Sequence, residues 1–423
     1  MKRLLAGAIN ARPHELAGAL AAFATAFAMF SAYAILRPIR ETMGITSGVQ
    51  TLPALFWGTF VGMLLVQPVY GWLTSRYRRT AFLPWVYLFF VANILGFYAW
   101  FNLQEDHTWI ARAYFIWVSV FVLFVVAVFW SLMADVFSRE QAGRLFGFVA
   151  AGISTGGLFG PFLGTRLAEP IGTINLLLVS AALLASSLGF MLLVLRWHRL
   201  HGENTSPGED RDARLGGSAL AAFRQVVSSP YLSLIALFVF LLTWVSTFLY
   251  LEQQAMVAVV FDSRDARTTF FSRIDFWVQA GSLVMQLFVF GRLFRWLGFR
   301  ALIVSVPILM MFGFAALALF PSFAVLVAVM IVRRIGEYSI TRPSRDTLYT
   351  SVTREERYKA KSLIDTFVYR GGDATSASAH AIVKATFGLG LSGIAWCGAA
   401  LAALWAVVAF VLGTKHLALN PRR

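Results

Sequence analysis

Long apolar runs recur along the chain, separated by short polar breaks. Runs near 15–36, 51–73, 80–101, 109–135, 145–167 and 172–196 are followed by runs near 230–252, 268–291, 299–320, 322–347, 358–384 and 388–413. A hydrocarbon core about 30 Å thick is crossed by about 20 helical residues, so each run is long enough to span a bilayer. The pattern predicts an all-α polytopic membrane protein of twelve transmembrane helices in two six-helix halves, 1–197 and 218–423. Between them, 198–217 (HRLHGENTSPGEDRDARLGG) is the long polar run and reads as a linker.

The halves also resemble each other. Ser138-Arg139-Glu140-Gln141-Ala142-Gly143-Arg144 before span 5 reappears as Thr353-Arg354-Glu355-Glu356-Arg357-Tyr358-Lys359 before span 11, and Gly71-Trp72-Leu73 as Gly291-Arg292-Leu293. Both matches share an offset near 215–220 residues, the trace that a duplicated six-helix unit would leave. Each Ser or Thr with Gln or Glu three residues later is also a capping box, which satisfies free N–H groups where a helix begins.

Composition excludes other classes. The chain has 423 residues, of which 58% are hydrophobic and 13% charged, whereas soluble domains are roughly 45–50% apolar and about 25% charged. A net charge of +15 would suggest nucleic acid in a soluble protein. Here the basic residues fall mostly on one side of the predicted spans: Lys2, Arg3 and Arg12, then Arg76, Arg78 and Arg79, Arg139 and Arg144, Arg196, Arg199, Arg211 and Arg214, Arg292 to Arg300, Arg354 to Lys361, and Lys415 onward, with Arg264 and Arg267 as the exceptions on the other side. By the positive-inside rule both termini are cytoplasmic, the expected location is a bacterial inner membrane, and no nucleic-acid partner is needed. Residues 2–34 imitate a signal peptide, but its cleavage would leave eleven spans, so the segment reads as a retained helix. Cys397 stands alone, which rules out an intramolecular disulfide and offers no thiolate metal site. No Gly-x4-Gly-Lys-Ser/Thr loop is present, so hydrolysis of ATP is not the expected energy source. No catalytic residue, cofactor or metal is expected.

Ionisable residues inside the predicted spans carry the functional signal, because a charge at the bilayer centre costs about 2.5–3.5 kcal/mol on insertion scales. Arg333 and Arg334 lie near the middle of span 10 with Glu337 one turn on, and Arg370 lies at similar depth in span 11 with Asp373 three residues on. In span 1, Arg37, Arg40 and Glu41 share a face after Leu36. They are deep if the helix continues past Pro38 and at the rim if it stops. Arginines, counting Arg342 and Arg345, outnumber Glu41, Glu337, Asp346, Asp365 and Asp373. Guanidinium groups grip phosphate or carboxylate bidentately, so an anionic organic solute is the expected partner, with Glu337 and Asp373 balancing charge or carrying a coupling proton. The alternative is that Arg333–Glu337 and Arg370–Asp373 are internal ion pairs that lock helices without a ligand. Arg273 and Asp275 read as a local ion pair or a proton-coupling pair, Glu252, His380 and Lys384 as solvated rim residues, and Trp130 as packing or a base-stacking platform.

The loop Gly71-Trp-Leu73-Thr-Ser75-Arg76-Tyr-Arg78-Arg79 is similar to the basic loop of the major facilitator superfamily, with Ser75 where an Asp is usual. Gly147, Gly156, Gly160, Pro161 and Gly164 look like that superfamily's antiporter motif, and Gly156, Gly160, Pro161 and Gly164 are expected to form a packed kink. The resemblance implies the major facilitator fold. Glu337-Tyr338-Ser339-Ile340-Thr341-Arg342-Pro343-Ser344-Arg345-Asp346, then Lys359-Ala-Lys361-Ser-Leu-Ile364-Asp365 and Arg370-Gly-Gly372, resemble the ATP/ADP antiporter (nucleotide translocase) family. Leu36-Arg37-Pro38-Ile39-Arg40-Glu41, and Phe129-Trp130 with Asp135, are similar to its first and fourth spans. That resemblance implies secondary transport of nucleoside phosphates by alternating access. Arg37, Arg40, Arg333, Arg334, Arg345 and Arg370 would meet the anion, and Glu41, Asp135, Glu337, Asp365 and Asp373 would couple or balance charge, with a proton as the candidate ion. Glu337 and Asp373 stand where the family pattern has Lys, and Arg342 where it has Asp. A proton-coupled drug exporter and a non-transporting scaffold or sensor are the competing readings.

Overall fold

The computed structural model describes residues 11–76, 79–201 and 219–420. Most of the expected linker, from 202 on, and Tyr77 and Arg78 of the basic loop lie outside the described residues, as do the side chains of Trp72 to Ser75 and of Lys359. The first six helices are α1 (Leu16–Thr46), α2 (Leu52–Arg76), α3 (Arg79–Leu103), α4 (Thr108–Val136), α5 (Arg139–Ile171) and α6 (Leu176–His201). A short α7 (Ala219–Ser228) precedes α8 (Pro230–Val260).

Further along, three π-turns interrupt the helices. Met285–Val289 joins α9 (Arg264–Val284) to α10 (Phe290–Leu319), Glu337–Thr341 joins α11 (Phe323–Gly336) to α12 (Arg342–Leu348), and Ile364–Val368 joins α13 (Arg354–Leu363) to α14 (Tyr369–Phe387). The last helix is α15 (Leu391–Leu419). Nine described helices are long and apolar enough to cross a membrane, with Arg264–Leu319 counted once. Gly298, at φ 72°, breaks that run into two, since a positive φ is cheap only without a Cβ. Phe323–Leu348 and Arg354–Phe387, which carry charges along their length, complete the twelve. The second π-turn stands just before Pro343, whose missing N–H and ring clash break the regular ladder there. Both sequence-derived capping boxes form: Gln141 N–H donates to Ser138 Oγ and Glu356 N–H to Thr353 Oγ1, each with the reciprocal bond.

The chain folds into two compact units that are discontinuous in sequence. The first comprises Met1–Gly48, Val61–Gly208 and Phe261–Gln279, and the second Val49–Phe60, Glu209–Val260 and Ala280–Arg423. The start of α2 thus belongs to the second unit and most of α9 to the first. In the first unit α1 is flanked by α5 and α6. A Cβ on Gly152, Gly156 or Gly160 would meet the backbone oxygen of Phe23, Phe27 or Ser31 at 2.5–2.6 Å. Close backbone approach of this kind drives helix association where lipid tails remove the hydrophobic drive. From α6, Ser180 and Ser187 donate to the carbonyls of Ala32 and Thr25, each at 3.0 Å. In the second unit α15 packs on α10 and α8, with Trp405 fully buried and Gly398 against the Phe314 ring.

Candidate functional site

The first unit's charges gather on α1. The helix continues through Pro38 to Thr46, so Arg37, Arg40 and Glu41 stand on a spanning helix, nine residues or fewer from its end, and not on a loop at the rim. Arg40 Nη1 donates to Glu41 Oε1 at 3.0 Å, its Nε donates to the Phe115 carbonyl at 3.3 Å, and its guanidinium lies 4.0 Å over the Phe115 ring. Arg37 faces Asp275 of α9 at 3.7 Å. The expected local pair between Arg273 and Asp275 does not form: Arg273 is exposed and Asp275 is buried. Residues two apart on a helix point to different faces, which the sequence spacing already implied. Below this pair, Thr42 and Thr268 share a hydrogen bond of 2.8 Å, and Thr173 donates to Thr268 at 3.0 Å.

The second unit holds the larger cluster, on α11 to α14. Arg333 and Arg334 are buried midway along Phe323–Leu348. Arg333 Nη1 donates to Glu337 Oε2 at 2.6 Å and to Ser246 Oγ at 2.7 Å, and Tyr369 OH donates to Glu337 Oε1 at 3.4 Å. Around the second π-turn the buried Nε of Arg333 and of Arg345, and the hydroxyls of Thr341 and Ser344, make no hydrogen bond among the described residues. Arg345 faces Asp365 at 3.3 Å as an ion pair, while Lys361 donates to Asp346 at 2.7 Å. Midway along Arg354–Phe387, Arg370 Nη1 donates to Asp373 Oδ2 at 3.4 Å, and Thr247 donates to the other carboxylate oxygen at 3.3 Å. Arg370 keeps about a third of its side chain exposed (32%).

Other candidates lie elsewhere or pack differently. Asp135 is exposed at the end of α4, and Arg342 is exposed on α12. Trp130 lies between the edges of Phe129 and Phe146, with ring centroids 5.4 Å from each, so it is a packing residue. Gly156 and Gly160 are the α1 contacts, Gly164 abuts Ser272, and Gly147 meets open space. Pro161 stands inside an unbroken helix.

One ion pair that the sequence pattern concealed sets the standard for a structural bridge. Arg144 of α5 makes two bonds to Glu15, at 3.0 and 2.9 Å, and Gln141 Nε2 adds a third at 3.2 Å. Glu15 precedes α1 and is fully buried. Burial raises its pKa, but hydrogen bonds from Arg144, the Arg12 N–H and Gln141, with the Arg144 charge, outweigh that and bring it down to about 2. Short, paired N–H···O contacts of 2.7–2.9 Å are the strong form of this interaction. Against them, Arg37–Asp275, Arg345–Asp365 and Arg370–Asp373 are long, at 3.7, 3.3 and 3.4 Å.

Comparison with known proteins follows the same lines. The model of the family described as Major Facilitator Superfamily matches residues 18–372. Over 167 residues the chain is 26% identical to "ADP,ATP carrier protein 2" of Chlamydia pneumoniae, a match spanning 31% of this chain and 30% of that one. The matched part is therefore about a third of the curated relative's length. The POT family transporter PepTSo superposes with a TM-score of 0.67 at 12% identity, over 95% of this chain and 98% of that one. The nucleoside transporter NupG superposes with a TM-score of 0.60 at 15% identity, over 96% of this chain and all of NupG. These likenesses establish the fold.

Proposed function

We propose that this chain, which belongs to the Major Facilitator Superfamily, is a secondary transporter carrying an anionic organic solute, a nucleotide or another phosphorylated metabolite, by alternating access. It is a membrane transporter and not an enzyme. The observation that carries the anion reading is the surplus of buried donors around the second π-turn. Arg333 Nε, Arg345 Nε, Thr341 and Ser344 have hydrogens to give and no acceptor among the described residues. A buried polar group without a partner costs about 1–3 kcal/mol. A phosphate, with several acceptor oxygens, would offset that cost for the donors that share one helix face, Thr341, Ser344 and Arg345 at i, i+3 and i+4, while Arg333 lies two to three turns away along the same run. π-turns inside helices are often found at functional sites, because they redirect side chains and free a carbonyl.

The named arginines divide the work. Arg333, Arg334, Arg345 and Arg370 are the proposed anion ligands of the second unit, with Arg370 exchanging Asp373 for the anion, and Arg37 and Arg40 are the proposed anion ligands of the first. Glu41, Glu337, Asp365 and Asp373 would balance these charges when the substrate is gone. The partial likeness to an ADP,ATP carrier protein supports a nucleotide among the candidates. The positions of the basic residues support an inner-membrane protein with both termini cytoplasmic, and the motif repeat at an offset near 215–220 residues supports halves at 1–197 and 218–423. The test is uptake of labelled ATP into proteoliposomes preloaded with ADP. Uptake that needs internal ADP and is lost in Arg370→Ala is expected. Stabilisation of the purified protein by a cationic drug, with nucleotides, sugar phosphates and organic acids all inert, would overturn the reading.

A further inference from the structure

A second ionisable cluster lies apart from these arginines, toward the C-terminal ends of α8 and α14. Glu252 of α8 and His380 of α14 are buried, at 4% and 5% exposed, in contrast to the expected solvated rim. His380 Nε2 lies 2.8 Å from Glu252 Oε1, and Lys384 Nζ donates to the same oxygen at 2.7 Å. An ionised carboxylate only accepts, so Nε2 carries the hydrogen and Nδ1 is the nitrogen that can take up a proton. The Phe248 ring stands edge-on to the imidazole at 5.2 Å. A cavity of about 360 Å³ opens beside the cluster, lined by His380 and Lys384 together with Gln50, Pro53, Leu251 and Ala255.

The charge arithmetic separates this cluster from a lock. Glu252 and Lys384 already neutralise each other, so a purely structural bridge has no need of the imidazole. Histidine is the side chain whose charge changes near neutral pH, and ionisable groups within membrane spans commonly form proton relays. The ionisable groups facing His380 are Glu252 from α8 and Lys384 from its own helix, and the packed segment 49–53 supplies Gln50 and no ionisable side chain. We infer that His380, Glu252 and Lys384 form a proton-binding site. A proton from solution reaches Nδ1 through the cavity, the cluster passes from neutral to +1, and Glu252 holds the imidazolium. As the coupling site of a transporter the cluster rests on the reading above; as a proton site it stands on its own geometry.

The direct test is NMR of the full-length protein in nanodiscs with 15N-histidine, one of six in the chain. The resonance identified by its loss in His380→Gln is expected to pass from the neutral Nε2–H form to imidazolium as the pH is lowered from about 8 towards acid, an uptake of about one proton. In Glu252→Gln that transition should move to lower pH, because the imidazolium then faces Lys384 without a counterion. A His380 resonance that keeps one protonation state across the range overturns the proposal, and this wild-type readout does not depend on any variant folding. In proteoliposomes an inward-directed proton gradient should accelerate ATP uptake several-fold in the wild type and not in His380→Gln. Wild-type ATP uptake indifferent to the gradient overturns coupling at this site. No ATP uptake at all, with His380 titrating as expected, would sink the nucleotide reading and leave the proton site standing.

Discussion

Arginine–carboxylate pairs in this protein use the same chemistry with different geometry, and Arg333–Glu337, at 2.6 Å, stands with the short ones. At the start of α1, Glu15 is fully buried and takes two bonds from Arg144 at 2.9 and 3.0 Å. Farther along, Arg37–Asp275 and Arg370–Asp373 are separated by 3.7 and 3.4 Å, and Arg37 and Arg370 keep 26% and 32% of their side chains exposed. A bidentate buried pair is costly to break, because removing one partner strands a charge. A long, half-open pair holds its arginine less firmly. The contrast teaches that a charge inside a spanning helix is no evidence for a ligand until its partner geometry is known. The backbone repeats the contrast: the described first unit contains no π-turn, whereas the second contains three, two of them beside the arginines.

The strongest way to break this comparison is to remove Arg144. Arg144→Ala should cost about 3–5 kcal/mol, read as a lower unfolding midpoint in detergent that no substrate restores to the wild-type value. Arg370→Lys keeps the charge and loses the planar fork, so it should weaken anion binding about 10–100-fold, equivalent to about 1.5–3 kcal/mol, with little change in the unliganded midpoint. Equal loss of stability in both variants would erase the distinction between the two sets. Gly160→Val forces a Cβ to within 2.6 Å of Ala34 Cβ and the Ser31 carbonyl, and overpacking of this kind costs about 1–3 kcal/mol. Gly147→Val, in open space, should stay within about 0.5 kcal/mol of wild type in the same melt.

One effect is invisible near neutral pH, the pH dependence of the Glu15 bridge. Its folded pKa of about 2 lies below its ordinary value, so the stabilisation is complete above about pH 4.3 and is lost as the pH falls through 2. Melts between pH 5 and 8 should be flat on its account, and Glu15→Gln should abolish the acid-side fall.

Much of the fold was legible in the sequence because lipid makes apolar length a direct signal, and both capping boxes formed where spacing put them. The site was legible in part. Helix arithmetic located Arg333, Arg334 and Arg370, but partners from distant sequence were not readable. Asp275 pairs with Arg37 across more than two hundred residues, and Arg144, which counted as an orienting charge, is clasped by Glu15. The same blindness hid the Glu252–His380–Lys384 cluster, since position near a helix end says nothing about what covers it. The π-turn at Glu337 had a visible cause in Pro343, which follows it, whereas the other two have no proline in or just after them.

Binding of an organic anion by the arginines of α11 to α14 is the property on which the proposed function depends. It is tested most directly by titrating the purified full-length protein with ATP and following its unfolding midpoint, in the wild type and in Arg370→Lys. A ligand that binds the folded state raises the midpoint in proportion to its occupancy. The account expects a saturable rise in the wild type that needs about 10–100-fold more ATP in the variant. It is contradicted if the two titrations coincide, or if ATP, sugar phosphates and organic acids leave the wild type unmoved.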